Sequence, residues 1–385
     1  LGIDNVVNRR FKMFKGARIG LCSNMSCCSV DFTPTIYHFL NQKTLRLTHL
    51  FAPEHGLNAA LQDQVRSSDD IYARAGVSIK SLYDKTYRPK LRMLKDLDMI
   101  VIDLQDIGTR YYTFVWTALV MIEQAAQYKK KVFVLDRPNP LNGTSTEGPV
   151  LEPDFKSFVG LHPIPVRHGM TIGELCTLMN DELRLGAELE IVPMSGWRRK
   201  YYFPDTELFW SAPSPNMPSF HTALVYPGMC LLEGTNISEG RGTTRPFTLF
   251  GAPWIESLDL VRALRKKDIP GTAFRPLSFQ PTFHKYRGTM CGGAEILVTK
   301  RNQFKPTFTG LEIIRTIKHM YGKHFRWLDP PYEYETEKMP FDILIGNPWV
   351  REGITRHQTI TKLQDRWHTP LQRFIRKRKK YLLYN

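Results

Sequence analysis

Asp98-Met99-Ile100-Val101-Ile102-Asp103 is apolar through its whole interior, without the in-and-out alternation of a strand that has one wet face. Such a run, bounded by charge, reads as a parallel β-strand covered on both sides. Lys131 to Leu135 repeats the pattern after a helical stretch from Tyr111 to Tyr128. Upstream, the strand Ala17 to Ser23, the helix Pro34 to Asn41 and the strand Leu45 to Phe51 make a βαβ opening. Downstream, Leu189 to Pro193 adds a strand after a helix that Thr171 caps and Glu174 closes as a capping box. Strands alternating with helices specify an α/β protein with a doubly wound parallel sheet and right-handed crossovers.

Beyond about residue 250 the texture changes. Ile255 to Lys266 has the pattern of a basic amphipathic helix, and Phe274 to Phe279 and Ala294 to Thr299 read as strands. Gly310 to Met320 and Thr361 to Lys380 read as helices, the last expected to break at Pro370. We expect a larger α/β domain over residues 1–250 and a smaller α+β domain over 251–385, with the binding site in the cleft between them.

Composition narrows the class. The 385 residues are 42% hydrophobic and 12% aromatic, which is globular, and no apolar run approaches the roughly 20 residues of a membrane helix. The chain starts at Leu1 with no visible signal peptide, and the expectation is a mature form whose address was removed. A net charge of +16, from 53 Lys and Arg against 37 Asp and Glu, points to anionic surroundings. The basic residues concentrate only at Arg373 to Lys380, where Phe374 and Ile375 interleave them, a pattern that an amphipathic terminal helix explains at least as well as a nucleic-acid patch. Six cysteines form neither a disulfide scaffold nor a zinc spacing, and Cys22, Cys176 and Cys230 read as buried thiols. No Gly-x-Gly-x-x-Gly follows the first strand, and Gly240-Arg241-Gly242-Thr243-Thr244 lacks the lysine of a P-loop, so no nucleotide cofactor is expected.

The chemistry collects at strand ends. Pro53-Glu54-His55-Gly56 follows the second strand, and by itself this is a turn. Two later strands end the same way, in Asp103-Leu104-Gln105-Asp106-Ile107-Gly108-Thr109-Arg110 and in Asp136-Arg137-Pro138-Asn139-Pro140. In open α/β sheets all three would open on one ligand-binding edge. Arg167-His168-Gly169-Met170-Thr171 joins them, with Pro213-Ser214-Pro215-Asn216-Met217-Pro218 as a rigid frame. Glu233 to Thr243 sets Glu233, Asn236, Glu239 and Arg241 among three glycines, a composition suited to hydroxyl-rich ligands. Carboxylates on separate segments, with Tyr111, Tyr112, Trp197 and Trp210 near them in sequence, fit glycoside hydrolysis. Glu54, behind Pro53 in apolar surroundings, suits the acid; Glu233 suits the base or nucleophile, with Glu239 and Asp106 behind it. A nucleophile elbow is missing, and His55 with His168 has no HExxH-like spacing, so neither acyl transfer nor a metal is assigned.

These motifs, together with Tyr111-Tyr112-Thr113, Cys291-Gly292-Gly293 and the closing Arg378-Lys379-Lys380-Tyr381-Leu382-Leu383-Tyr384, resemble the NamZ-like exo-β-N-acetylmuramidases, formerly a domain of unknown function. The match runs nearly end to end. The resemblance implies a Rossmann-like domain plus a smaller one and release of N-acetylmuramic acid from the non-reducing end of peptidoglycan fragments such as MurNAc-GlcNAc. It also implies a bacterial protein in the periplasm or outside the cell, with no cofactor and no nucleic-acid partner. Glu54 carries over as catalytic by motif; Glu233 as its partner is an inference from the residues. Substrate contacts are expected from His55, Gln105, Asp106, Arg110, Tyr112, Asp136, Arg137, Asn139, His168, Asn216, Asn236, Glu239 and Arg241, and the lactyl carboxylate of muramic acid from Arg110, Arg137, Arg241 or Arg245. One departure is the stretch after Gly56, where the family often has another glycine and this chain has Asn58-Ala59-Ala60-Leu61. The rival expectation is a non-catalytic binder of anionic glycan using the same cleft.

Overall fold

Strands rich in Ile, Val and Leu on both sides must find cover on both sides, and the computed structural model, which describes residues 1–59, 76–82 and 89–385, shows how. The first half runs α1 (Gly2–Asn8), β1 (Arg18–Cys22), α2 (Thr35–Leu40), β2 (Arg46–Ala52), β3 (Ser78–Ser81), α3 (Leu91–Leu94), β4 (Met99–Ile102), α4 (Phe114–Gln127) and β5 (Lys131–Leu135). A short antiparallel pair, β6 (Glu147–Val150) and β7 (Pro165–Arg167), precedes α5 (Ile172–Glu182) and β8 (Leu189–Val192). Six of these strands form one sheet in the order β3-β2-β1-β4-β5-β8, parallel throughout. The order reverses between β1 and β4, as in a Rossmann-like fold.

Neighbouring residues of one strand supply two different cores. Ile100 and Ile102 join Val132 and Val134 under α4 and α5, while Val101 joins Phe133, Leu135, Ile19 and Leu21 under α1 and α2. That is why the sequence of β4 does not alternate. The register sets Cys22 beside both Phe51 and Ile102, and Ile102 beside Val134, so the loops after β1, β2, β4 and β5 leave from one edge. Thr171 and Glu174 form the expected capping box at the start of α5. The six cysteines are free thiols, and burial pushes Cys27 up to about 11.

The second half runs α6 (Phe220–Met229), β9 (Leu249–Ala252), α7 (Ser257–Arg265), β10 (Thr272–Phe279), β11 (Cys291–Val298), α8 (Pro306–Met320), α9 (Pro340–Ile345), α10 (Trp349–Thr355) and α11 (Ile360–Arg378). Strands β10, β11 and β9 form an antiparallel sheet in that order. The Cys291-Gly292-Gly293 motif is a packing requirement there: a Cβ on Gly293 would lie 2.0 Å from the carbonyl oxygen of Phe250. Helices α6 and α8 cross backbone to backbone, where a Cβ on Gly310 would lie 2.2 Å from the oxygen of Gly228. The break expected at Pro370 does not occur. Helix α11 runs unbroken through it because Leu363 and Trp367 before the proline and Phe374 after it bury on the same core, and Pro370 itself is exposed. Of the stretch after Gly56, Ala60 and Leu61 lie outside the described residues.

Two buried arginines and one buried carboxylate fasten the halves together. Arg378, at the end of α11, donates to the carbonyls of Gly143, His168 and Gly169 at 2.6–3.1 Å. Arg110 donates to Pro149 at 2.9 Å, Ile164 at 3.0 Å and Leu344 at 2.7 Å. Asp136 accepts from Thr171 Oγ1, the Gly173 amide and Tyr384 OH at 2.6–2.8 Å, which ties the last residues of the chain to the edge of the sheet. Burial pushes Asp136 up to about 6, against these donors.

Gly310→Ala is expected to destabilise the protein by about 1–3 kcal/mol, since neither backbone can retreat without parting α6 from α8; urea unfolding measures it. Tyr384→Phe removes a donor to the ionised Asp136. Its cost, about 1–2 kcal/mol at pH 7.5, should shrink at pH 5. The sign follows from linkage: the Tyr384 hydroxyl lowers the Asp136 carboxyl against the effect of burial, so its contribution is present above about 6 and is lost as pH falls through that value.

Candidate active site

The loop after β2 turns sharply at Pro53, with the Gly56 amide donating to the Pro53 carbonyl at 3.1 Å and His55 in the left-handed region at φ 68°. The turn buries Glu54 to 8% exposure and points it at the start of α4, where Thr113 Oγ1 donates to Glu54 Oε2 at 2.6 Å. Across the cleft stands Glu233, on a 3-10 turn that continues α6. Arg241 holds its Oε1 through Nε at 3.1 Å and Nη2 at 2.8 Å, and Tyr332 OH donates to Oε2 at 2.6 Å. Both oxygens of Glu233 thus accept hydrogen bonds, the setting of a carboxylate rather than of an acid. Burial, and then Glu233, push the Tyr332 hydroxyl well above its ordinary range, so it stays a donor.

Behind Glu233 runs a line of alternating charge. Arg241 lies 3.7 Å from Glu239, which pairs with Lys285 at 2.9 Å and His284 at 3.2 Å. Burial alone would raise the Glu239 carboxyl, but Lys285, His284 and Arg241 hold it well below the usual carboxylate range. Lys285 also donates to the carbonyls of Leu232 and Ile237 at 3.0 Å, on either side of Glu233 in the chain.

The cleft is lined by Glu54, His55, Tyr112, Asn216, Glu233 and Arg241 from the sequence expectation, together with Tyr111, Thr113, Ser214, Tyr226, Phe247, Tyr332 and Glu333. Other expected contacts belong to the framework instead. Arg110 and Asp136 are the fasteners described above. Arg137 pairs with Asp103, with Nη2 to Oδ2 at 2.9 Å, and faces a separate cavity together with Gln105. Asp106 meets His168 at 3.3 Å and caps the Gly108 amide at 2.7 Å. Asn139 donates to the Met170 carbonyl at 2.9 Å, and Asn236 clips His324 and Arg326 at 2.8 Å each. Glu239 reaches the cleft only through Arg241. Arg245, half exposed, is paired with Glu295. Trp197 packs on Tyr384 and Trp210 faces the separate cavity, so the aromatic side chains of the cleft are tyrosines and Phe247.

Tyr332 and Glu333 were not legible as site residues, though Asp329-Pro330-Pro331-Tyr332-Glu333-Tyr334-Glu335 is an acidic, aromatic stretch in an otherwise basic region. Lys285 carries no signal in the sequence, and Thr113 stands there only as part of the Tyr111-Tyr112-Thr113 motif, with no role attached. Their roles exist only through residues distant in the chain.

Comparison with known proteins places this geometry in a family. The family model described as exo-β-N-acetylmuramidase NamZ, N-terminal, matches residues 19–221, and its C-terminal counterpart matches residues 224–384. The peptidoglycan β-N-acetylmuramidase NamZ of Bacillus subtilis is 43% identical over all 385 residues, covering 100% of this chain and 91% of the relative. A crystal structure of a DUF1343 family protein from Bacteroides fragilis superposes with a TM-score of 0.89 at 32% identity, covering 100% of this chain and 98% of that one. A second DUF1343 structure from the same organism gives 0.75 at 26% identity, with the same coverage.

Arg241→Met would leave Glu233 and Glu239 without the cation between them. The expected loss of stability is about 3 kcal/mol or more, against about 1 kcal/mol for Tyr332→Phe, both read by denaturant unfolding at neutral pH.

Proposed function

The chain belongs to the NamZ family of exo-β-N-acetylmuramidases, and from that membership we propose how its residues divide the work, with Glu54 as general acid and Glu233 as base or nucleophile. The protein is a glycoside hydrolase that releases N-acetylmuramic acid from the non-reducing end of peptidoglycan fragments.

The observation that carries the assignment is that Glu54 and Glu233, 179 positions apart in sequence, line one cleft with different partners. A glycosidase needs one carboxyl to protonate the leaving oxygen and another to act on the opposite side of an oxocarbenium-like transition state. Glu233, gripped by Arg241 and Tyr332, is oriented as an anion. Glu54 is buried in the cleft wall, where Thr113 Oγ1 donates to its Oε2, and burial favours the protonated form that an acid needs. Among the described residues, Arg241 and His55 are the basic side chains of the cleft lining, and we take them rather than Arg110, Arg137 or Arg245 as receptors for the lactyl carboxylate. A guanidinium has donors enough for two carboxylates, so Arg241 can hold Glu233 and a substrate anion together. We place the activity outside the cytoplasm, where peptidoglycan lies; fractionation of the source cells tests this.

Release of free N-acetylmuramic acid from MurNAc-GlcNAc is the direct assay. Glu54→Gln and Glu233→Gln should each lower kcat by about 10²–10⁴-fold with little change in KM, and a GlcNAc-terminated control should not turn over. Near-native kcat in Glu54→Gln would remove Glu54 from the chemistry while leaving the family activity in place.

A further inference from the structure

The excess of positive charge is not spent at the active site. It gathers on the smaller domain as a ribbon. Helices α7 and α8 bound a groove lined by Lys266, Lys267, Arg315, His319 and His357, with no carboxylate in its lining. Arg315 Nε donates to the Gln358 carbonyl at 2.9 Å, and Gln358 lines a second open groove with Arg356, Lys362 and Arg366, where Glu352, 3.8 Å from Arg356, and Asp365 offset part of the charge. From there the charge continues along α11. Lys362, Arg366, Arg373, Arg376 and Lys377 are all exposed, the last paired with Glu182 at 2.8 Å, and at 3.6 residues per turn they fall within about a third of the helix circumference. The adjoining face, with Leu363, Trp367 and Phe374, is buried. The helical part of the stripe, from 362 to 377, is about 22 Å long.

We propose that this ribbon is a docking surface for a linear polyanion with a hydrophilic phosphodiester backbone, such as a poly(glycerol phosphate) of the cell wall. The charges follow one another at intervals along a surface path, which fits a chain of repeated anions better than a single small anion. Nucleic acid fits less well. Single strands are held by exposed aromatic platforms, and here Trp349 lies beneath Arg366, 4.4 Å from its guanidinium, and Trp367 is buried. A bilayer surface fits less well too, because interfacial helices present large apolar side chains beside the basic ones, and none is exposed on this face of α11. The choice of a wall polymer rests on the peptidoglycan activity; the presence of a polyanion site does not. Docking of this kind would hold the enzyme on the wall while the cleft, lined by other residues, works on chain ends.

The test is binding of the full chain to poly(glycerol phosphate), beside neutral dextran, single-stranded DNA and anionic vesicles. Saturable binding is expected, weakening roughly a hundred-fold between about 50 and 200 mM salt if about five phosphates are contacted. Reversal of four ribbon charges together, Lys266→Glu, Lys362→Glu, Arg373→Glu and Arg376→Glu, should weaken it at least ten-fold. Lys12→Glu with Lys15→Glu, exposed but on the larger domain, should not. Release of N-acetylmuramic acid from the soluble disaccharide should stay unchanged in every variant, so the docking site and the hydrolytic reading fail separately. No salt-dependent binding, binding indifferent to the four reversals, or tighter binding to DNA or vesicles at equal charge would overturn the proposal.

Discussion

Everything at the functional edge depends on one hydrogen-bonding register. Because β1 pairs in parallel with β2 on one side and β4 on the other, with Cys22 level with Phe51 and Ile102, the strands finish together and their polar loops emerge side by side. A parallel sheet buried on both faces leaves polar residues only its ends, and the chemistry collects at the carboxyl end. Glu54 is held at that edge by the turn at Pro53 and by Thr113. The second carboxylate is brought from the other half of the molecule by α6, whose position is fixed by the close glycine contact with α8.

Much of the polar sequence at this edge serves the architecture. Arg110 and Arg378 donate to backbone carbonyls, and burial, reinforced at Arg378 by the neighbouring Arg199, lowers each guanidinium to about 10. A buried charge is tolerated when its hydrogen bonds are satisfied. Arg137 instead pairs with a carboxylate, Asp103, and His168 stands 3.3 Å from Asp106. They make the loops rigid, which is what a site needs from its surroundings.

The cleft itself combines ordered charge with local strain. Lys285, Glu239, Arg241, Glu233 and Tyr332 form a line of alternating charge ending in a hydroxyl, joined by ion pairs and hydrogen bonds. Three non-glycine residues of the lining, His55, Phe247 and Glu333, have φ between 47° and 68°. Left-handed backbone at bulky residues costs free energy, and it persists where the surrounding structure imposes it, commonly where side chains must be aimed at a ligand.

The sequence by itself determined the doubly wound sheet, the capping box of α5, the polar loops that share one edge of the sheet, and the turn that carries Glu54. Each of these is local: an apolar run, a cap spacing or a turn is written in neighbouring residues. The tertiary structure alone decided which polar residues share the cleft. Asp136, Arg137, Asn139 and His168 have the same composition as a binding loop, yet they are consumed by contacts within the framework. Tyr332, Lys285 and Thr113 acquire roles only because chain segments far apart fold against Glu233 and Glu54. The same holds for α11, where packing on both sides of Pro370 overrode the local tendency to break. Partners distant in sequence are chosen by packing and by the need to satisfy every buried polar group, and neither leaves a mark in the local pattern.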